Sequence, residues 1–489
     1  MWWKILLALL ALFIVVTLIR AIFYKPKKFE GVKIEDADID VDKVAEHLSK
    51  AIQCKTISRS NPDEIDWSEF EKFHAFLDEA YPLIKQNTVK ENVSKASLIY
   101  RWKGKNPDLE PMALLSHQDV VPVAEGTEDD WTHDAFSGYN DGEIIWGRGA
   151  LDMKNHLICV MEAVESLMEE GFQPERDVYL CFGHNEEIVC SKESGADEIV
   201  KVLRSRGIHL DSVLDEGSAL LRLDVKGLIH TYIAAVGVAE KGYADMKLTV
   251  HDKGGHTSAA PKHSGMAKLA NTIKDVERHQ FKSHMLPFLT ELFDTVGRKA
   301  TYLGRVVMCN VWLLKPIIKL VLKVIPESAS MVRTIQSISM CEGSPEPNVL
   351  PQRPSITVNF RPLPGDTVDD VEKHIRKAVR YKDLEVERLY SKEATKFSPT
   401  ESRAFNAIRK VEEGLHPNDV AVAPYLVMGG TDSYRYGEIC DNILRYAPFN
   451  VSVELFLTTH ATNERCPISA LKESVVFFRE YIKEVSKKD

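Results

Sequence analysis

From Ser97 to Gly217 short apolar runs of strand length alternate with longer stretches of helical period, and few folds accept such a chain. Ser97–Trp102, Met112–His117, Val178–Phe182 and Ser212–Leu214 read as strands. Asp152 opens a helical period in which Met153, Leu157, Val160, Met161, Val164 and Leu167 recur until Gly171 closes it, and Gly195–Arg206 reads as a second helix. Val41–Ile57 and Trp67–Ile84 are amphipathic helices ahead of them. This alternation predicts an α/β fold, an open sheet covered by helices with its chemistry gathered at the carboxyl ends of the strands.

Those ends carry metal-binding residue types. Leu114–Ser116 leads into His117, and Asp119 follows two positions on, so an extended backbone would project both from one face. An imidazole that binds a metal through one nitrogen is held and made more basic by a carboxylate on the other. A surface hydrogen-bonded pair is the alternative. Asp152 follows a glycine-punctuated turn, Gly147 to Leu151, that lets backbone approach whatever the aspartate binds. Glu186 and Glu187 end the next strand, where adjacent carboxylates point apart, one free to hold a metal while the other reaches a water. Asp215 ends the strand after, and His460 follows the apolar run Val453–Leu457. Singly, these residues suit helix caps, a solvated charge pair and a core histidine. Taken jointly, the metal reading prevails.

Ile5 to Ile19 is an apolar run that only Thr17 interrupts. With Trp2, Trp3 and Tyr24 at its borders it predicts a retained transmembrane helix, since bulky residues and Arg20 stand where a signal peptidase needs small ones. Arg20, Lys25, Lys27 and Lys28 follow the span, so the positive-inside rule read literally leaves the large domain in the cytosol. The expected location is nonetheless a single-pass membrane protein with its catalytic part extracytoplasmic or lumenal. A net charge of -10 excludes a nucleic-acid partner, and eight scattered cysteines without CxxC spacing indicate neither a disulfide framework nor a cysteine zinc site.

Five segments in order, His117 to Pro122, Gly147 to Lys154, Gly183 to Glu187, Asp215 to Gly217 and His460 to Glu464, resemble the dizinc exopeptidases and aminoacylases. Ser205–Gly207, Glu240–Gly242 and Trp312–Pro316 are most similar to the branch of carboxypeptidase S and the N-fatty-acyl-amino-acid synthase/hydrolases. The resemblance implies two Zn2+ per subunit, one held by His117, Asp152 and Asp215 and the other by Asp152, Glu187 and His460, with Asp152 bridging and Asp119 orienting His117. Two imidazoles and three carboxylates suit zinc. It further implies that Glu186 is the general base, taking a proton from the attacking water and delivering it to the leaving amine. The activity implied is hydrolysis of N-acyl amino acids or short peptides with a free carboxylate, by a membrane-anchored enzyme.

The resemblance also implies an inserted α+β lid, residues 239–390, between two parts of the catalytic domain, 29–238 and 391–489, after an anchor and basic flank, 1–28. Tyr243–Val250, Pro261–Val276, Thr334–Met340, Ile356–Phe360, Val368–Val379 and Leu384–Arg388 fill a strand, helix, strand, strand, helix, strand order within it. By resemblance His256, between Gly254 and Ser258, helps stabilise the oxyanion, and Asn348 and Arg361 bind the substrate carboxylate. A turn histidine and a surface ion pair are the plainer readings. The apolar stretch Met285–Pro326 suits an acyl-chain site, a membrane surface, an enlarged lid core or a homodimer contact. Asn185, the loop from Ile188 to Ser194, Tyr434 and Ala461 depart from the family pattern, so a catalytically impaired binding protein stands as an alternative, as does a structural membrane protein whose lid recruits partners through Met285–Pro326.

Overall fold

The computed structural model describes residues 2–27, 29–34, 38–189 and 194–488, so most of the departing loop after Val189 lies outside the described residues. An eight-stranded sheet forms the larger unit, ordered Thr88–Val93, Ser97–Trp102, Val178–Gly183, Met112–His117, Ser212–Val225, Ile443–Asn450, Ile229–Glu240 and Val420–Val427. Met112–His117 runs parallel to both neighbours, whereas Ser97–Trp102 pairs antiparallel with Val178–Gly183, making the sheet mixed. All six residues of Met112–His117 and of Val178–Gly183 are buried, as strands covered on both faces must be. The main core lies between the sheet and helices Val41–Ile52, Lys154–Glu169, Arg403–Leu415 and Ile468–Ser486. A second core, around Ile199, Leu203 and Tyr436, fills the opposite face under helix Gly195–Ser205.

The predicted helix Trp67–Ile84 is two helices, Trp67–Ala80 and Pro82–Asn87, because a proline suits the first turn of a helix but not its interior. The short strand expected at Ser212–Leu214 extends to Val225 and turns back as a hairpin onto Ile229–Glu240. Asp215 therefore lies within a strand rather than at its end.

Residues 243–392 build a separate four-stranded antiparallel sheet, ordered Ile335–Glu342, Ser355–Arg361, Tyr243–Thr249 and Glu385–Lys392. Helices Gly265–Arg278 and Val368–Ala378 cover one face around a core of its own, including Met246, Leu269, Phe360 and Ile375. Helix Pro287–Lys299, although inserted in this stretch, buries Phe288 and Leu289 in the core of the larger unit and stacks Phe288 on Phe397 with ring centroids 5.9 Å apart. Trp2–Phe23 is one 22-residue helix, apolar enough and long enough to cross a bilayer.

Candidate metal centre

Strand Met112–His117 ends at the site, and the backbone beyond it sets the histidine. His117 Nδ1 lies 2.9 Å from the carbonyl oxygen of Asp119 and 3.4 Å from its carboxylate. The main chain of Asp119 thus holds the ring more closely than its side chain, and Nε2 is left pointing into the site. Nε2 stands 3.1 Å from Asp152 Oδ1 and 3.3 Å from Glu216 Oε1. On the other side of Asp152, His460 Nε2 lies 3.0 Å from Oδ2 and 3.1 Å from Glu187 Oε2. Two groups with ligand atoms within 4.8 Å of one another result: His117, Asp152 and Glu216, and Asp152, Glu187 and His460.

Asp215, expected from the sequence as a ligand, is absent from both groups. One of its oxygens accepts from Ser433 N at 2.9 Å and the other from Glu216 N at 2.9 Å. Successive side chains of a strand leave opposite faces, so once the strand runs through this point only one of the pair can face His117. That one is Glu216.

Asp119 is fully buried and does more than accompany His117. Its carboxylate accepts from Ser58 Oγ at 2.6 Å and from the backbone amides of Glu186 and Glu187 at 3.1 and 3.2 Å. It thereby fixes the turn carrying both glutamates. Asn185 accepts from Gly195 N at 2.8 Å, tying the same turn to the start of the next helix. Within it the two glutamates part: Glu187 meets His460, and Glu186 lines an adjoining cavity.

The loop delivering Asp152 is held by a residue to which the sequence reading assigned no role. Glu464 is fully buried, and its Oε1 accepts from the amides of Gly149, Leu151 and Asp152 at 3.0, 2.8 and 3.1 Å. Its Oε2 pairs with Arg148 Nη1 at 2.6 Å, and Arg148 Nη2 donates to the His460 carbonyl at 3.2 Å. Gly149 makes this fit possible, since its φ of 89° is left-handed and a Cβ there would press on Val120. The signal for Glu464 was an acidic residue in a segment that already carried a histidine. The signal for Glu216 was its place beside Asp215.

The site concentrates acidic groups. Burial, then the charge of Asp152, pushes Glu216 up to about 8. Burial likewise raises Glu186 well above the carboxylate range, with the negative Glu216 and Glu187 adding to it. Hydrogen bonds to Asp152 and Glu187 raise His460 to about 10, while Asp152, despite its burial, is held below the usual range by His117 and His460. Carboxylates packed this closely are what cations neutralise.

The cavity beside Glu186 lies between the two sheets, lined by the basic Lys241, Arg361, Lys392 and Arg435, by the acidic Glu186 and Asp432 and by Tyr434 among others. Lys392 is paired with Glu240 at 3.0 Å and Arg435 with Asp197. Arg361 contacts Asn359 Oδ1 at 3.3 Å and the face of Tyr243 at 4.5 Å, and among the described residues no carboxylate forms an ion pair with it. His256 and Asn348 lie elsewhere, exposed on the small ribbon that pairs Gly255–His256 with Val349–Leu350, and neither lines the cavity.

Residues 113–484 match the peptidase family M20/M25/M40. A probable carboxypeptidase S-like 2 of Dictyostelium discoideum is 34% identical over 448 residues, covering 91% of this chain and 85% of that protein. The mouse N-fatty-acyl-amino acid synthase/hydrolase PM20D1 is 28% identical over 444 residues, covering 90% and 87%. Among solved structures, the M20 family metallo-carboxypeptidase Sso-CP2 from Sulfolobus solfataricus shares the fold with a TM-score of 0.62 at 17% identity, over 92% of this chain and 99% of that one. Human carnosine dipeptidase 1 does so with a TM-score of 0.61 at 15% identity, over 92% and 97%. With its strand ends, paired ligand groups and matched length, the chain belongs to peptidase family M20/M25/M40 and is an enzyme, a hydrolase of the metallopeptidase type.

Proposed function

We propose that the chain is a membrane-anchored zinc-dependent amide hydrolase that releases an amino acid with a free carboxylate from N-acyl amino acids or small peptides. The observation that carries this reading is the pair of ligand groups sharing Asp152, with Glu186 beside them on the wall of a cavity that carries basic side chains. His117, Asp152 and Glu216 would hold one zinc ion and Asp152, Glu187 and His460 the second, a set of two imidazoles and three carboxylates whose charge offsets most of that of two dications. Zinc held by these residues would supply a water acidified toward neutral pH and a Lewis acid for the scissile carbonyl.

The protein's own residues do the rest. Glu186 accepts the water's proton and returns it to the leaving nitrogen, a role for which a raised carboxylate pKa suits it. Arg361, in no ion pair among the described residues, would take the substrate's carboxylate as a guanidinium fork does. The four-stranded unit serves as the lid in this reading. His256 and Asn348 would reach substrate only when the lid moves toward Glu186 or when a second copy supplies them across a homodimer. Helix Trp2–Phe23 would be the single-pass anchor. Similarity to a synthase/hydrolase of N-fatty-acyl amino acids supports an acyl amino acid as substrate.

The test is turnover on a panel of N-acyl amino acids and dipeptides by the full chain in detergent, with Glu186→Gln alongside. General-base assistance contributes roughly a hundred- to ten-thousandfold, so the variant should lose about that much in kcat while binding both ions and substrate. Near-normal turnover would overturn the assignment of Glu186, and equal activity on amides lacking a free carboxylate would overturn the substrate class.

A further inference from the structure

Helix Val311–Val324 is poorly covered. Val311 is its only buried residue, while Trp312, Ile317, Leu320, Val321 and Val324 are 58, 60, 63, 53 and 76% exposed. At 100° per residue these five fall on one half of the helix, Lys315, Lys319 and Lys323 cluster along one flank, and the partly buried Leu314, Ile318 and Leu322 occupy the remaining sector. Monomers in water rarely expose a continuous apolar face of this kind, and a basic flank beside such a face suits lipid phosphates.

The neighbour of this helix says what covers it. Trp312 meets Phe13 of the N-terminal helix edge to face at 6.5 Å, and Arg20 lies 5.7 Å over the Trp312 ring. Tyr302 OH donates to the Leu18 carbonyl at 3.2 Å, and Tyr24 OH to Asp294 at 2.9 Å. Phe13 lies seven residues before Arg20, about 10 Å along the helix axis at 1.5 Å per residue. If Arg20 and Tyr24 mark one membrane interface, Phe13 is inside the hydrocarbon, and Trp312, which touches both Phe13 and Arg20, sits at the interfacial level that tryptophan favours.

We propose that helices Tyr302–Met308 and Val311–Val324 form a second membrane contact, lying in the interface of the leaflet where the N-terminal helix emerges, with Leu320 and Val324 among the acyl chains and the lysines at the headgroups. This rests on the reading of Trp2–Phe23 as a bilayer span. It also places the substrate cavity near the membrane surface. The short helix Pro326–Ser330 follows directly, and Ser330 accepts from Lys241 Nζ through its carbonyl at 2.9 Å and its hydroxyl at 3.2 Å. Lys241 lines the cavity beside Glu186, so six residues past Val324 the chain is hydrogen-bonded to the cavity wall. A substrate with a carboxylate head and a long acyl chain partitions into that same interface, and the proposal assigns the enzyme amphiphiles taken from the bilayer.

Nitroxide labels test it on the full chain in vesicles of phosphatidylcholine with a minor fraction of phosphatidylserine. In a background with Cys190 and Cys341 replaced by serine, single cysteines are placed at Leu12, Leu320 and the exposed Lys262, and retained hydrolytic activity confirms the fold. Oxygen should outcompete a nickel chelate as relaxant at positions 12 and 320, and the order should reverse at 262. A label at 320 as accessible to nickel as the one at 262 overturns the membrane contact, and a deep label at 12 in the same sample shows the anchor reading intact. A label at 320 shielded from both relaxants also overturns it, in favour of a second copy of the chain. Water around the label at 12 rejects the anchor itself, while hydrocarbon at 320 would even then support the helix as a membrane contact.

Discussion

Glu464→Gln should loosen the site without touching a ligand. Alanine at this position would strand Arg148, which is 3% exposed, at about 3–5 kcal/mol, and would orphan three amides at about 1 kcal/mol each. That sum approaches the whole stability of an ordinary domain, about 5–15 kcal/mol, so alanine reports little beyond misfolding. Glutamine keeps a carbonyl for the amides of Gly149, Leu151 and Asp152 and loses the pairing with Arg148 at 2.6 Å. Arg148 retains the His460 carbonyl at 3.2 Å and the face of Trp131 at 5.4 Å, which places the loss near the lower end, about 3 kcal/mol. Since Asp152 rides on this loop and belongs to both ligand groups, zinc affinity should fall by roughly ten- to a hundredfold. Thermal melting of the apoprotein and zinc competition against a chromophoric chelator read the two effects separately. Arg148→Met/Glu464→Gln, neutral at both ends, should recover most of the stability. If Glu464→Gln melts and binds zinc as the unaltered protein does, the buried pair does not hold the loop.

Glu216→Gln should lower bound zinc from two ions per chain toward one, while Asp215→Asn keeps both; metal loss confined to Asp215→Asn would return the ligand role to the residue expected from the sequence. Burial pushes Glu412 up to about 7, against the opposing hydrogen bond from Tyr446 at 2.7 Å and the charge of His416. A carboxyl raised in the folded state destabilises it above that value by roughly 3 kcal/mol and ceases to do so as pH falls below the unfolded value near 4.5. Glu412→Gln, which keeps an acceptor for Tyr446, should therefore raise the melting temperature at pH 8 and leave it little changed near pH 4; an equal rise at both would exclude titration as the cause. A chain beginning at Phe29 should keep its fold and zinc, because Ala21 is the only residue buried in Trp2–Phe23, and metal analysis with circular dichroism checks this.

Local pattern carried much of this protein. Apolar runs of strand length and helical periods can be read within a dozen residues, so the sheet of Met112–His117 and Val178–Gly183, the helices between them and the strand and helix order of residues 243–392 were legible before any coordinates. The grouping of His117, Asp152, Glu187 and His460 was legible too, through the resemblance of five ordered segments to the dizinc exopeptidases. The choice of Glu216 over Asp215 was not, because it depends on which face of a strand meets His117, and a strand taken to stop at Leu214 has no such face. Nor could the sequence assign Asp119 to the amides of Glu186 and Glu187, 67 and 68 residues away, or Glu464 to the loop of Asp152, 312 residues away. Hydrogen bonds of that reach leave no period in the chain. The apolar stretch Met285–Pro326 shows the same division: its hydropathy was plain, but only packing sent Phe288 and Leu289 into the core and left Trp312 to Val324 facing outward beside the N-terminal helix. Periodicity says that a face is apolar, and the tertiary structure decides what that face meets.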